Sequence, residues 1–154
     1  MTPLRDLDDG ALRRALVRGE LCLGLGPFRI AIASRLASVR RHLKHLYPDH
    51  AAAIGLAEPA DYHVGIVYPG LLRRWLRPKI VFSLDGLHPF TPLPAAQAPA
   101  QLEWGINWAI AAHSHQYAII HAAVVERDGT ALVMPGAPGS AKSTLCAALV
   151  APGW

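Results

Sequence analysis

The chain contains the stretch Gly136-Ala137-Pro138-Gly139-Ser140-Ala141-Lys142-Ser143-Thr144. It departs at one position from the phosphate-binding pattern G-x-x-x-x-G-K-[ST], because Ala141 stands where glycine is expected. An apolar, β-prone run at residues 130–134 precedes the stretch, and a helix-prone run at residues 145–150 follows it. This order of strand, glycine-rich loop and helix is the context that a phosphate-binding loop requires.

The chemistry of such a loop is anion binding. Its backbone N–H groups point into one concavity, and the positive end of the following helix adds to the same potential. Lys142 is predicted to contact the β and γ phosphates of ATP, and the Ser143 hydroxyl to bind the Mg²⁺ that bridges them. All nine residues from Gly136 to Thr144 are candidate nucleotide-binding residues. The alternative is a glycine-rich turn in which Ser143 only caps the helix.

Composition predicts a folded protein rather than a disordered one. The 154 residues are 52% hydrophobic and 17% charged, which is enough apolar material for a buried core. No apolar run approaches the length of a membrane span, and the N-terminus does not resemble a signal peptide. Two cysteines, Cys22 and Cys146, are too few for a disulfide framework. We therefore expect a cytoplasmic protein without a membrane partner.

The net charge of +4 is unevenly distributed, with clusters of basic residues in the first half of the chain. These clusters allow an acidic partner, and nucleic acid is one alternative. Solvated helix and strand faces are the interpretation we favour, because no nucleic-acid-binding module is recognisable. Trp75, within an arginine-rich run, is expected to pack under arginine stems rather than stack on bases. The basic residues are Arg35, Arg40, Arg41, Lys44, Arg73, Arg74, Arg77 and Lys79.

The pattern of apolar residues predicts an α/β protein with an α+β N-terminal part. Four prolines between residues 88 and 99 mark a connection, which divides the chain into an N-terminal subdomain, 1–95, and a nucleotide-binding core, 96–154. The predicted elements are a short helix capped by Asp8 or Asp9, a hairpin over 21–34, an amphipathic helix over 35–47, strands over 62–68 and 79–84, a largely buried helix over 101–115, and strands over 117–125 and 130–134.

A histidine is predicted beside the loop. The Asp128-Gly129 dipeptide predicts a β-hairpin, in which His121 falls opposite a position between Met134 and Gly136. An imidazole there could orient a carboxylate, bond a phosphate oxygen or assist proton transfer. The alternative is a core histidine that is satisfied by backbone groups.

Other histidines close to His121 in sequence raise the question of a metal site. His113 and His115 have the spacing of two ligands at a helix end, but no cysteine or carboxylate completes the set. We favour helix capping and core packing for these side chains.

Several segments resemble one group of kinases. The segment from His121 to Leu149 resembles the HPr kinase/phosphorylase superfamily, in which a histidine stands fifteen residues before the first loop glycine, as His121 does before Gly136. The narrower resemblance, to bacterial HprK-related kinase A, rests on LEWGINW at 102–108, HSHQY at 113–117 and LRRWLRP at 72–78. The likeness runs over most of the chain.

The resemblance implies a function. It implies a P-loop kinase core of the type shared with phosphoenolpyruvate carboxykinase, which binds ATP and Mg²⁺ and transfers phosphate to a serine, usually on a partner protein. His121 would be a catalytic residue of that core. The alternative function is a non-catalytic nucleotide-binding or scaffold module in a peptide-modification or exopolysaccharide system.

Two departures from the relatives shape this expectation. Relatives carry glycine at the position of Ala141, and they continue beyond the position of Trp154 into a strand with the catalytic aspartates. The chain is therefore expected to bind nucleotide without turnover, with an incomplete core and an exposed apolar helix face that favours homo-oligomers. That face comprises Leu145, Leu149 and Val150. Four acids could substitute for the catalytic aspartates of the relatives, but each is expected to be a turn or surface residue. They are Asp61, Asp85, Glu103 and Asp128.

Overall fold

The computed structural model describes residues 1–55, 59–70 and 78–154. They form two compact units, Met1–His113 and Ser114–Trp154. The described residues contain four α-helices and a mixed β-sheet, which agrees with the predicted α/β class.

The first unit contains most of the regular structure. Trp75 and the arginines of residues 72–77, which the sequence singled out, lie outside the described residues. The described elements of this unit are β1 (Thr2–Pro3), α1 (Asp9–Arg18), β2 (Leu21–Leu25), β3 (Phe28–Ser34), α2 (Ala37–Leu46), β4 (Ala51–Ile54), β5 (Tyr62–Val67), β6 (Lys79–Leu84), β7 (Leu93–Pro94) and α3 (Ala98–His113). Those of the second unit are β8 (Ala122–Arg127), β9 (Thr130–Pro135) and α4 (Lys142–Val150).

The strands of the first unit form a seven-stranded sheet in the order β1-β4-β2-β3-β5-β6-β7. Strands β2 and β3 form the predicted hairpin, with Leu25 paired to Phe28. Among the described strands only β3 and β5 pair in parallel, with Ile32 opposite Val64. The carboxyl ends of these two strands therefore lie side by side at one edge of the sheet.

Alternate side chains of the central strands build the core of this unit. Each fully buried Leu or Ile side chain contributes roughly 1.5–3 kcal/mol. The core residues of β3, β5 and β6 are Ile30, Ile32, Val64, Ile66, Ile80 and Phe82. Those of the helices are Leu12, Leu16, Val39, Leu43, Leu102 and Ile106. Because they form one cluster with the same strand positions, α1, α2 and α3 pack on one face of the sheet.

Local sequence signals explain where the first two helices begin and end. The Asp8 carboxylate accepts a hydrogen bond from the Ala11 backbone N–H at 2.8 Å, as the capping prediction requires. Helix α1 ends at Gly19, whose φ of 72° is the left-handed conformation that glycine adopts without strain. The amphipathic helix predicted over residues 35–47 is confirmed as α2, which buries Val39 and Leu43.

Helix α3 differs in two ways from its prediction. It begins at Ala98 rather than residue 101, because Pro99 occupies the first turn, where a missing N–H costs nothing. The expectation that the helix is largely buried is wrong for Trp104, whose surface is 55% exposed. This indole stacks on the Phe90 ring at a centroid distance of 4.5 Å, and Trp108 meets the same ring edge-on.

The position of α3 also bears on how the chain divides. The sequence places a boundary after residue 95, whereas the compact units divide after His113. Leu102, Ile106 and Ala109 are buried against the sheet of the first unit. The helix belongs to that unit because it supplies part of its core.

The second unit is a hairpin with one helix. Its first strand, predicted over residues 117–125, is found at Ala122–Arg127. Asp128 and Gly129 form a two-residue turn with φ values of 51° and 77°, the conformation that an Asp-Gly pair favours in hairpins.

Many apolar side chains of the second unit are exposed. The expected exposure of the helix face is confirmed for Leu145 and Val150, which are 50% and 54% exposed. The exposed large apolar residues of this unit are Tyr117, Ile119, Ile120, Val124, Leu132, Val133, Leu145 and Val150. Such a surface favours association with another apolar surface.

A polar cluster joins α2 to α3 in the first unit. The Glu103 carboxylate accepts a hydrogen bond from the Tyr47 hydroxyl at 2.5 Å and lies 2.9 Å from His42 Nε2. Burial, then the hydrogen bond to Glu103 and the charge of Glu103, raises the pKa of Tyr47 well above its usual range. The expectation that Glu103 is a plain surface acid is therefore wrong.

The Gly105→Ala substitution is expected to destabilise the first unit. A Cβ on Gly105 would lie 2.2–2.7 Å from atoms of the buried Phe82 ring, so the ring or the helix must move. We expect a loss of about 1–3 kcal/mol in urea denaturation. Asn107→Ala, at an exposed position of the same helix, is the control and is expected to be neutral or slightly stabilising. Equal stability of the two variants would contradict the close packing of Gly105 against the Phe82 ring.

The Tyr47→Phe substitution is expected to change the alkaline stability of the protein. A raised pKa means that the folded state prefers the protonated phenol, so this stabilisation is complete below the unfolded pKa of about 10 and is lost as pH rises above it. Urea denaturation at about pH 8 and about pH 11 measures the difference. The wild type is expected to lose more stability between these values than Tyr47→Phe. Equal losses of stability in the two proteins would rule out the ionisation of Tyr47 as the source of the alkaline destabilisation.

Candidate functional site

The phosphate-binding stretch connects β9 to α4, in the predicted order of strand, loop and helix. The first helical hydrogen bond of α4 runs from the Leu145 N–H to the Ala141 carbonyl at 2.9 Å. The N–H groups of Lys142, Ser143 and Thr144 precede this bond, so they have no partner within the helix. They form the donor set that an anion at this helix end would use.

Ala141 has a left-handed backbone, with φ 59° and ψ 23°. An L-residue with a Cβ pays roughly 1–2 kcal/mol for this conformation, whereas glycine adopts it freely. The structure therefore gives the physical reason for the glycine in the sequence pattern. Ala141 adopts the same left-handed turn, but its Cβ makes that backbone conformation strained.

The Lys142 side chain folds back over the loop. Its ammonium group donates hydrogen bonds to the carbonyl oxygens of Gly136 at 2.7 Å and of Ala137 at 3.0 Å. A Cβ on Gly136 would lie 2.6 Å from Ser140 Oγ, so glycine leaves the space that this hydroxyl occupies. Phosphate oxygens are stronger acceptors for an ammonium group than these neutral carbonyls.

Ser143 is the second residue of α4 and is exposed. The alternative in which Ser143 caps the helix is wrong, because the N-cap residue is Ala141 and no side chain caps this end. The Ser143 hydroxyl therefore makes no capping bond at this helix end.

His121 precedes the first residue of β8. The last pair of the hairpin is Ala122 with Pro135, and extending this register by one residue places His121 opposite Gly136. His121 is exposed, so the alternative of a core histidine is wrong. The hairpin thus brings the histidine and the first loop glycine to the same end of the unit.

The acids of the second unit lie at the other end of the hairpin. Glu126 and Asp128 are the only acidic residues of the sequence from 114 to 154. Glu126 Oε1 accepts a hydrogen bond from the Gly129 N–H at 2.7 Å, and Asp128 lies within the turn. Six strand residues separate this turn from the loop, which is about 20 Å.

Two candidate acids of the first unit are also structural. Asp61 accepts a hydrogen bond from the Arg29 backbone N–H at 2.7 Å. Asp85 has a φ of 49° and accepts one from the His63 backbone N–H at 3.2 Å. Both serve turns or strand ends, as the sequence predicted.

The described part of the chain holds no group of three or more His, Cys, Asp or Glu residues that could bind a metal ion. His113 Nδ1 lies 3.0 Å from the Ala109 carbonyl oxygen, an interaction within the last turn of α3. This contact agrees with the predicted capping of the helix end by His113. The expected core packing is wrong, because His113 and His115 are both exposed.

The sequence did not predict the cluster of His42, Tyr47 and Glu103. Glu103 is 56 positions from Tyr47 and 61 positions from His42, so no local motif joins it to them. The amphipathic pattern of α2 placed His42 on a helix, but only the packing of α2 against α3 brings it to Glu103.

Comparison with known proteins adds no relative. No family model matches the chain, and no curated protein or solved structure matches it. No helix of the described residues is long and apolar enough to cross a bilayer.

The Ala141→Gly substitution is expected to stabilise the second unit by about 0.5–1 kcal/mol, because it removes the strain of a Cβ at positive φ. Thermal denaturation followed by circular dichroism measures the change. Ala137→Gly is the matched control, since residue 137 has no positive φ, and it is expected to be destabilising. A loss of stability in Ala141→Gly would contradict the strain.

Proposed function

We propose that the chain binds ATP with Mg²⁺ at Gly136–Thr144 and is an ATP-dependent serine protein kinase of the HPr kinase type. The observation that carries this proposal is the loop geometry: a left-handed residue 141 leads into α4, whose first N–H groups lack helical partners, and the Lys142 ammonium lies over the loop at the Gly136 carbonyl. The likeness of the surrounding sequence to HPr kinase-related proteins supports the same assignment.

Each loop residue has a proposed role. The backbone N–H groups of the loop and of the first turn of α4 bind phosphate oxygens. Lys142 gives up its bonds to the Gly136 and Ala137 carbonyls and pairs with the β and γ phosphates. Ser143 is the proposed ligand for Mg²⁺, which supplies charge neutralisation at the phosphates when bound.

His121 is proposed to act next to the phosphates. An exposed imidazole at the loop end of the hairpin can donate a hydrogen bond to a phosphate oxygen or hold the acceptor hydroxyl. The acceptor is proposed to be a serine of a partner protein in the cytoplasm. The exposed apolar residues of the second unit support a homo-oligomer as the working state.

The Lys142→Ala substitution tests the nucleotide site. Calorimetry with Mg²⁺-ATP is expected to give saturable binding for the wild type and roughly 10- to 100-fold weaker binding for Lys142→Ala, because charge-assisted hydrogen bonds are lost. Arg127→Ala, at the far end of the same hairpin, is the control and is expected to bind like the wild type.

If neither the wild type nor Lys142→Ala binds Mg²⁺-ATP, the loop is only a turn and the proposal is wrong. Equal binding by the wild type and Lys142→Ala would place the nucleotide elsewhere.

A non-catalytic nucleotide-binding or scaffold module is the second candidate. The observation that favours it is the position of Glu126 and Asp128, which lie at the turn and not at the loop. Phosphoryl transfer needs a carboxylate to place the metal or the acceptor. Nucleotide binding without ADP release in the presence of candidate serine proteins would favour the module, and steady ADP release that Lys142→Ala abolishes would favour the kinase.

A further inference from the structure

A cavity of about 600 Å³ lies in the first unit, at the carboxyl ends of β3 and β5. The residues around it come from the last positions of these strands and from the segments that follow them, 33–36 and 66–70, together with Val17 of α1. We call it the strand-end cavity. Its volume lies within the range of about 300–1,000 Å³ that is typical of small-molecule sites.

Strand order explains why a cavity forms at this place. Strands β3 and β5 are adjacent and parallel, so their carboxyl ends lie side by side. From β3 the chain continues through α2 to β4, which lies on the β2 side of the pair, and from β5 it continues to β6, on the opposite side. Two connections that leave in opposite directions open a crevice between them. Open sheets commonly bind ligands in such a crevice, outside the carboxyl ends of the strands.

The Ser34 hydroxyl holds the two strand ends together at the cavity. It donates a hydrogen bond to the Ile66 carbonyl and accepts one from the Leu36 N–H, each at 3.2 Å. Ser34 is buried, and all three residues line the cavity. The protein's own hydrogen bonds therefore fix this part of the wall, and the Ser34 hydroxyl is engaged in them.

The wall is mainly apolar and carries one charge. Arg35 is the one charged residue among the described lining residues. It is exposed, and none of the ion pairs within the described part of the chain includes it. A guanidinium without a carboxylate partner is available to an acidic ligand. The larger apolar and aromatic lining residues are Val17, Leu36, Ile66, Val67, Tyr68 and Pro69.

We propose that the strand-end cavity binds a small apolar carboxylic acid in its ionised form. The carboxylate pairs with Arg35, whose planar guanidinium can donate two parallel hydrogen bonds to it. The apolar body of the ligand lies against the apolar wall, where its burial adds to the affinity. The site lies within the first unit and does not depend on the proposed nucleotide function.

The test uses the full chain and three probes that share one apolar body and differ in charge. They are 4-phenylbutyrate, an anion, 4-phenylbutan-1-ol, which is neutral, and 4-phenylbutylamine, a cation. Titrations are followed by backbone amide chemical shifts, with the signals of Ala33, Ile66 and Val67 reporting on the strand ends. We expect saturable shifts at these residues, with the anion binding about tenfold more tightly than the alcohol and the amine binding most weakly.

Matched variants locate the carboxylate. Arg35→Gln is expected to reduce the affinity for 4-phenylbutyrate to that for the alcohol and to leave alcohol binding unchanged. Val17→Glu places a negative charge on the wall at a position that is 46% exposed, and is expected to weaken binding of the anion by roughly three- to tenfold. Arg41→Gln removes the same charge as Arg35→Gln from an exposed position of α2 outside the cavity, and is expected to bind like the wild type. Lys142→Ala is expected to do the same, which separates this site from the nucleotide loop.

The proposal is overturned if no probe gives saturable shifts at the strand ends, or if the alcohol binds as tightly as the anion. It is also overturned if Arg41→Gln weakens anion binding as much as Arg35→Gln, or if Val17→Glu leaves anion binding unchanged. The amide spectra of the variants show that each keeps the fold.

Discussion

The parallel pairing of β3 with β5 is the constraint on which the first unit depends. A parallel pair cannot be joined by a tight turn, so the chain must cross over from one end of the sheet to the other. It does so through α2 and β4, and α2 covers the face that Ile32 and Val64 present. The remaining strands add in antiparallel fashion on either side of the pair. The core and the helix layer both follow from this one pairing.

The second unit depends on a different constraint, the left-handed turn at residue 141. A chain leaving β9 must reverse over a few residues so that α4 can pack back on the hairpin. Gly139 and Ala141 both take positive φ values to achieve this. The same reversal leaves the first N–H groups of α4 without partners within the helix, and these are the donors that the proposed nucleotide site would use.

The features that depend on neighbouring residues could be predicted from the sequence. The Asp8 cap, the hairpin over residues 21–34 and the Asp128-Gly129 turn depend on neighbours within a few positions. The loop and the register of His121 followed from the same kind of signal.

The rest depends on contacts between distant positions. The membership of α3 in the first unit and the cluster around Glu103 are decided by packing, which for Tyr47 and Glu103 joins positions 56 residues apart. The function proposed for the loop rests on its geometry and on the sequence resemblance to HPr kinase-related proteins, because no family model, curated protein or solved structure matches the chain.

The stacking of Trp104 on Phe90 has a practical consequence for anyone who studies this chain. Trp104 and Trp108 belong to the first unit, whereas Trp154 is the only tryptophan of the second, where its backbone N–H bonds to the Leu149 carbonyl. Replacing Trp154 by phenylalanine would leave a protein whose tryptophan fluorescence comes from the first unit alone. The first unit can therefore be followed by tryptophan fluorescence, without an added label.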